Sequence, residues 1–460
     1  MSIPPCRATQ TQRLTSPAVL SPQEVEADKN RAYIQIIDKF LSIIDFRSRK
    51  MIYQIEIENF FSIKDRQVID LRVSGKVPDD FDRFAPIFPQ SATRAPKIVT
   101  LFGANASGKT NVLAALAFVV HFIRHHGFSQ ELLAKKDVYI DQFNHLDAQA
   151  RPVKFAVEFG AIMDATAELG ERASRGEHVL FGTCRYELEL TMANGAINSV
   201  SRESLHQRSN DRGKWQRIFE RDGNKNVKGS LSFPIKGFEH LLNTLDPRAS
   251  IISNYSQFNH PGAKYWQGIA TSINFMIENH PILFDGVLMQ SFYQNFHLLN
   301  QLNADIQKID VGIEHMRVEM IGSGVVAKFK HDTMERELPW HRESHGTRAF
   351  IRLYPAIVSA IETGGVAVID ELDAALHPIM VNEVLGWFRD VERNPKNAQL
   401  WFSGHAATLM DDLSMEEIIF CEKDRQGRTS LFRARDIARR SDNLRRKYLS
   451  GIYGAVPQIG

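Results

Sequence analysis

Hydrophobic and polar positions along the chain fall into two periods, and the change from one to the other marks its parts. Residues 1–30 are rich in Ser, Thr, Gln and Pro and follow neither period, which predicts a mobile tail. Apolar residues then recur at Tyr33, Ile36, Ile37, Phe40, Leu41 and Ile44, the three-and-four spacing of a helix with one apolar face. From Met51 the chain alternates, with Ile52, Ile55 and Ile57 as its apolar markers, so a strand is expected and the folded part starts here. Four prolines between residues 72 and 97 predict a long excursion. The apolar run Ile98–Phe102 then reads as a buried strand, and Lys109 to about His125 as a helix. Further strands are expected at Val153–Phe159 and Cys184–Met192. The second ends in Asn194-Gly195, a pair at ease at positive φ and therefore a tight hairpin turn. Residues 235–320 carry Phe and Leu at mixed three and four spacing without a lasting heptad, which predicts helices and argues against a long coiled-coil arm. A second hairpin is expected over Val325–Pro339, a helix over Thr347–Ile361, and strands at Val366–Ile369 and Leu400–Phe402. Strands separated by helices around buried apolar runs predict an α/β sheet.

Composition narrows the class. The 460 residues are 43% hydrophobic and 24% charged, enough for a sizeable core, and a disordered, collagenous or purely coiled-coil chain is excluded. The formal charge of +2 means that any surface for nucleic acid or lipid must be local. Cys6, Cys184 and Cys421 each stand alone, against a disulfide framework or zinc knuckle and in favour of a reducing, cytoplasmic compartment. No stretch approaches the roughly 18 apolar residues of a membrane span, and the N-terminus lacks the apolar core of a signal peptide. A soluble protein with no membrane partner is expected.

The strongest chemical signal is Gly103-Ala104-Asn105-Ala106-Ser107-Gly108-Lys109-Thr110, a complete G-x-x-x-x-G-K-[ST] loop between a predicted strand and a predicted helix. Its glycines let backbone N–H groups turn inward around phosphate oxygens, and the helix start, with Asn111, adds donors and a favourable dipole. Lys109 is suited to the β and γ phosphates, and the Thr110 hydroxyl to Mg²⁺. Such a site needs an acid-ended apolar strand as its second half. Gly365-Val366-Ala367-Val368-Ile369-Asp370-Glu371 supplies one, with Asp370 placed to hold Mg²⁺ and Glu371 to polarise the attacking water. The two halves are far apart in sequence, so a large insertion splits the domain.

Three further segments carry a family resemblance. Glu371-Leu372-Asp373-Ala374-Ala375-Leu376-His377-Pro378 resembles the Walker B and D-loop segment of ABC-type ATPases of the SMC, RecF and OLD groups. Glu343-Ser344-His345-Gly346-Thr347-Arg348 resembles their signature segment, and Trp401-Phe402-Ser403-Gly404-His405 the segment with the switch histidine. The order of motifs and the opening strand Ile55–Phe60 match too. The likeness runs from Met51 to the end. It is greatest to bacterial ATPases of abortive-infection and restriction loci, where it includes Cys421–Asp424 and Tyr448–Pro457. His345 departs from transporter-type signatures, which have glycine there.

The resemblance implies a P-loop NTPase fold of ABC-ATPase type with a mixed sheet, split by a helical insertion. Its parts are an N-terminal extension (1–50), an ATPase lobe (51–235), a helical insertion lobe (236–330) and a C-terminal ATPase part (331–460). It implies that Ser344 and Gly346 reach the γ-phosphate held by another copy, so that two protomers sandwich two ATP molecules head to tail, with Asp373 at the seam. His405 is implied to contact the γ-phosphate or order the attacking water, and Gln142 to sense Mg²⁺ and water.

Other strings carry less. No Asn-Lys-x-Asp reads guanine, so ATP is preferred over GTP. Too few residues follow His405 for a separate nuclease fold of the OLD kind, and Glu422 and Asp424 read as a loop after a strand. His377, before Pro378, reads as the start of a helix. Near the C-terminus Arg433, Arg435, Arg439, Arg440, Arg445, Arg446 and Lys447 face only Asp436 and Asp442, a basic helix suited to nucleic acid, to an acidic protein partner, or simply to solvent. The expected function is ATP hydrolysis by a homodimer or higher oligomer acting as a nucleotide-driven switch, in antiphage defence with a separate effector. Two alternatives stand beside it: a low-turnover, ATP-gated scaffold restraining a toxin, and a DNA-processing ATPase of repair type.

Overall fold

A computed structural model describes residues 51–456 other than 79, 126–139, 165–178, 210–212, 224–225, 277–280, 310–311 and 323. The expected tail and helix within residues 1–50 lie outside the described residues. The chain enters through β1 (Ile52–Glu58) and β2 (Gln67–Asp70), passes a short ribbon of β3 (Phe84–Pro86) and β4 (Arg94–Pro96), and reaches β5 (Ile98–Phe102) and helix α1 (Lys109–Arg124). A meander follows: β6 (Val153–Ile162), β7 (Phe181–Ala193), β8 (Ala196–Arg208), β9 (Gln216–Asp222) and β10 (Asn226–Gly229). Helices α2 (Ile251–Gln257) and α3 (Pro261–Thr271) precede β11 (Ile273–Met276); α4 (Pro281–Gln294) and α5 (Phe296–Ile309) precede β12 (Ile313–Ile321), β13 (Gly324–His331) and β14 (Leu338–Pro339). The last part runs α6 (His345–Thr363), β15 (Val366–Ile369), α7 (Leu372–Ala375), α8 (Pro378–Arg389), β16 (Gln399–Gly404), β17 (Ile418–Lys423) and β18 (Thr429–Arg433).

Among the described residues, one sheet is antiparallel with seven strands in the order β10-β9-β8-β7-β6-β1-β2. Its β7–β8 turn is the expected Asn194-Gly195, at φ 51° and 72°, the left-handed pair that a two-residue hairpin demands. Alternation along these strands separates two faces. Ile55, Ile57, Phe155 and Val157 enter the core, while the intervening Glu56 and Glu158 meet Arg185, whose Nη1 lies 2.7 and 2.8 Å from them.

The second sheet has the order β11-β15-β16-β5-β17-β18 and is parallel except for β18. Every residue of β5, β15 and β16 is buried, as strands covered on both faces must be. Because side chains alternate, this sheet serves two cores. Val99, Leu101, Val368 and Trp401 pack with α1, α3 and the antiparallel sheet; Ile98, Phe102, Ile369 and Phe402 pack with α5, α6 and α8. The parallel strands all end on one edge, and that edge carries the chemistry.

The segment 236–330 carries the expected helices, α2 to α5, but contributes strands as well. Ile273–Met276 is an edge strand of the parallel sheet, pairing with β15 from Ile273↔Val366 to Met276↔Ile369. A four-residue apolar run has too few positions for its period to separate strand from helix. The hairpin expected over 325–339 is present as β13 and β14, but β12 adds a longer strand on the other edge of β13, within residues expected to be helical. The C-terminal basic stretch is not one helix either. Helical turns at Ala434–Ile437 and Leu444–Leu449 are separated, and Arg433, Arg435, Arg445 and Lys447 pair with Asp436, Glu416, Asp411 and Asp442. No described helix is long and apolar enough to cross a membrane.

Candidate nucleotide-binding site

The loop after β5 is shaped by what its glycines avoid. A Cβ on Gly103 would lie 2.3 Å from the Cys421 carbonyl oxygen and 2.5 Å from Ser107 Oγ. Gly108 stands at φ 102°, and a Cβ there would meet Thr429 Oγ1 at 2.3 Å. Only glycine fits either place. The loop is pinned from outside. Thr429 Oγ1 donates to the Ser107 carbonyl at 2.8 Å and lies 2.7 Å from Ser62 Oγ, which accepts from Asn111 Nδ2 at 2.6 Å. Lys109 opens α1, and its ammonium donates to the Gly103 and Ala104 carbonyls at 2.9 and 3.1 Å. Burial pushes its pKa down from the ordinary lysine value, against the pull of Asp370, Glu371 and Asp373.

Asp370 follows β15 directly. Its Oδ2 accepts from Thr110 Oγ1 at 2.8 Å, and its Oδ1 from Ser403 Oγ. The same Ser403 oxygen accepts from the Glu371 N–H at 2.8 Å. Glu371 is held at φ 52°, in the left-handed region, with its side chain turned outward and one carboxylate oxygen 3.6 Å from His405 Nε2. Asp373 sits behind this pair. Its Oδ2 accepts from the His405 and Ala406 N–H groups at 2.7 and 2.5 Å. The ends of β15 and β16 are therefore cross-linked in both directions, Ser403 reaching one way and Asp373 the other.

These groups meet in a pocket of about 560 Å³ lined by loop residues 105–111, Glu371, His405 and Lys423. Asn105, Ala106, Ser107, Gly108, Lys109, Thr110 and Asn111 thus come together with Glu371 and His405, while Gly103, Ala104, Asp370 and Asp373 support them from behind. Ser344 and Gly346 do not line the pocket of their own chain. Ser344 caps α6, its Oγ accepting from the Thr347 N–H at 3.0 Å. Gln142 is not in the pocket either: its amide nitrogen donates to the Arg151 carbonyl at 2.7 Å and stitches a turn. His377 caps α8, a structural task.

The residues present fit a phosphate chain and a hard cation. Ser107 Oγ is buried without a hydrogen-bond partner inside the loop, and the Thr110 hydroxyl and Asp370 carboxylate offer the oxygen donors that Mg²⁺ prefers. Among the described residues no group of three or more His, Cys, Asp or Glu side chains is arranged to hold a metal, so a cation here would rest on Thr110, Asp370 and the phosphates themselves. Ser62 and Thr429 were not singled out by the sequence, and Ser403 and Lys423 stood inside segments of the resemblance without a role of their own. Lone Ser, Thr and Lys carry no local signal, and only strand order brings them to the loop.

Residues 186–411 match the model of the family described as "AAA domain, putative AbiEii toxin, Type IV TA system". That span holds the segments around Ser344, Asp370 and His405 and begins after the phosphate loop. No curated protein matches the chain. Among solved structures, the chain is similar to the SMC head domain from Thermotoga maritima, with 14% identity, 83% of this chain and 98% of that chain covered, and a TM-score of 0.37. The family match, the phosphate loop at the end of β5 and the acid pair at the end of β15 together support an ABC/AAA-like P-loop ATPase with a mixed α/β fold.

Proposed function

We propose that this chain binds ATP with Mg²⁺ at the loop 103–111 and hydrolyses it to ADP and phosphate. The observation that carries this reading is the hydrogen bond from Thr110 to Asp370, 260 residues away, which joins the phosphate loop and the acid-ended strand in one pocket. Thr110 and Asp370 would hold Mg²⁺, which when bound would supply charge neutralisation on the phosphate chain. Backbone N–H groups of the loop and of the start of α1 bind phosphate oxygens. The Lys109 ammonium exchanges the Gly103 and Ala104 carbonyls for the β and γ phosphates. Glu371 polarises the attacking water and takes its proton, and His405, 3.6 Å away, steadies that carboxylate and the water between them.

Ser344 and Gly346, outside their own pocket at the N-terminus of α6, serve the nucleotide of a second copy in a head-to-tail dimer. ATP binding closes this dimer and hydrolysis opens it, a cytoplasmic switch read by a separate effector. The toxin–antitoxin wording of the matching family accords with a role in antiphage defence.

The test is paired. Glu371→Gln protein is expected to keep ATP bound while turnover falls by a factor on the order of 100 or more, since general-base groups contribute that much. Lys109→Ala protein is expected to lose both. Wild-type turnover in either variant would refute the site. Proteins that copurify with the Glu371→Gln form in ATP and not in ADP would identify the effector; none under either condition would remove the effector from the reading.

A further inference from the structure

We propose that Lys423 is a phosphate-binding residue of this pocket and acts at the nucleoside-proximal end of the phosphate chain, so that it holds diphosphate and triphosphate alike. The proposal rests on the nucleotide reading above and adds to it a residue on the opposite flank of the loop. Strand order sets the geometry. In β15-β16-β5-β17 all four strands are parallel and end on one edge, with the phosphate loop leaving β5. Glu371 and His405 follow β15 and β16, on one side of that loop. Lys423 ends β17, on the other.

The hairpin that carries Lys423 is locked to the loop. Phe420 pairs with Phe102, the Cys421 carbonyl lies against Gly103, and Thr429, paired with Lys423 across the hairpin, donates to the Ser107 carbonyl at 2.8 Å. The Lys423 side chain is exposed, lines the pocket, and has no hydrogen-bond or ion-pair partner among the described residues. The acids beside it are turned elsewhere. Asp424 binds Arg428 at 2.7 Å, and the Glu422 carboxylate lies against Gly454.

An unpaired ammonium in a polar pocket built for phosphates is a phosphate ligand by charge alone, and its flank decides which phosphate. The end to be cleaved must face Glu371 and His405. The nucleoside-proximal phosphates then run toward β17 and Lys423.

The experiment measures binding of ADP and of a non-hydrolysable ATP analogue, each with Mg²⁺, to wild-type, Lys423→Ala and Lys423→Arg protein by calorimetry. Lys423→Ala is expected to weaken both nucleotides by the same factor, about ten-fold for one charge-assisted hydrogen bond, and Lys423→Arg to retain most of the affinity. The exposed position keeps the fold out of the comparison. Unchanged affinity for both nucleotides in Lys423→Ala overturns the proposal. A loss confined to the ATP analogue overturns it too, since it would put Lys423 at the γ end. Wild-type protein that binds neither nucleotide overturns the nucleotide reading itself, a result distinct from either of these.

Discussion

Ser403 Oγ serves two masters within one ångström scale: it donates to the Asp370 carboxylate and accepts from the Glu371 N–H. Glu371 is held at φ 52°, where a residue with a Cβ pays roughly 1–2 kcal/mol, so the bond to its N–H helps fix a backbone that would otherwise relax. Removing the hydroxyl in Ser403→Ala strips a partner from both groups, at a cost of about 1–3 kcal/mol. Ser403 is a positioning residue, and kcat for ATP is expected to fall roughly ten-fold while KM changes little, because phosphate binding rests on the loop and not on β16. Ser403→Thr keeps the hydroxyl and should restore kcat; steady-state kinetics in which both variants behave alike would discard the assignment. The phosphate loop and Asp370-Glu371 were legible because each is a short string whose spacing contains its own geometry. Ser403 and Lys423 were not, since they matter only because β16 lies beside β15 and β17 beside β5, far from sequence order. Gln142 shows the limit of resemblance: its likeness to a family glutamine has no spacing to fix its place, and its amide donates to the Arg151 carbonyl outside the pocket.

At the scale of elements, one buried carboxylate ties the antiparallel sheet to the helices. Glu203, on β8, accepts from Tyr186 Oη of β7 at 2.9 Å, from Ser250 Oγ at 2.6 Å and from the Ile251 N–H at the start of α2 at 2.9 Å, with Arg221 of β9 at 3.6 Å. Burial pushes its carboxyl pKa up, and Arg221 together with these donors offsets only part of the shift. The folded state therefore holds the Glu203 proton to higher pH than the unfolded chain does. This group's contribution to stability is greatest below the ordinary glutamate value and declines as pH rises toward the raised one. Denaturant unfolding from pH 4.5 upward should show a less negative slope in Glu203→Gln than in wild type, and parallel slopes would exclude the effect. Glu203→Ala, which strips the acceptor shared by Tyr186 Oη, Ser250 Oγ and the Ile251 N–H, is expected to cost about 1–3 kcal/mol. Whole elements differ in legibility for a related reason. β15 and β5 announce themselves as apolar runs flanked by turn residues and motifs. β11, with four half-buried residues, becomes a strand only through its pairing with β15, and no window of sequence contains that partner.

Across the whole molecule, the placement of Ser344 and Gly346 outside their own phosphate pocket gives the proposed head-to-tail dimer a quantitative signature. Each composite site would take its phosphate loop from one protomer and its signature segment from the other. Lys109→Ala damages a loop and leaves the signature whole; Ser344→Arg places a bulky cation at the cap of α6 and leaves the loop whole. Each variant alone should be inactive, because every site in its homodimer contains the defect. Mixed in equal amounts with free exchange, half of the dimers are hybrids. In a hybrid one site combines both defects, while the other joins the intact loop of the Ser344→Arg protomer to the intact signature of the Lys109→Ala protomer. One site in two, in half of the dimers, restores about a quarter of wild-type ATPase activity if the sites fire independently. Strict coupling between the two sites would instead leave the mixture silent although the hybrids form, which analytical ultracentrifugation of differently labelled protomers in ATP would reveal. A protein that works as a monomer leaves a third pattern: Ser344→Arg alone would keep most of its turnover, and mixing would add nothing beyond the mean of the two preparations. That outcome would leave the phosphate loop and the Asp370-Glu371 pair standing as an ATPase site and remove the dimer, and with it the switch, from the proposal.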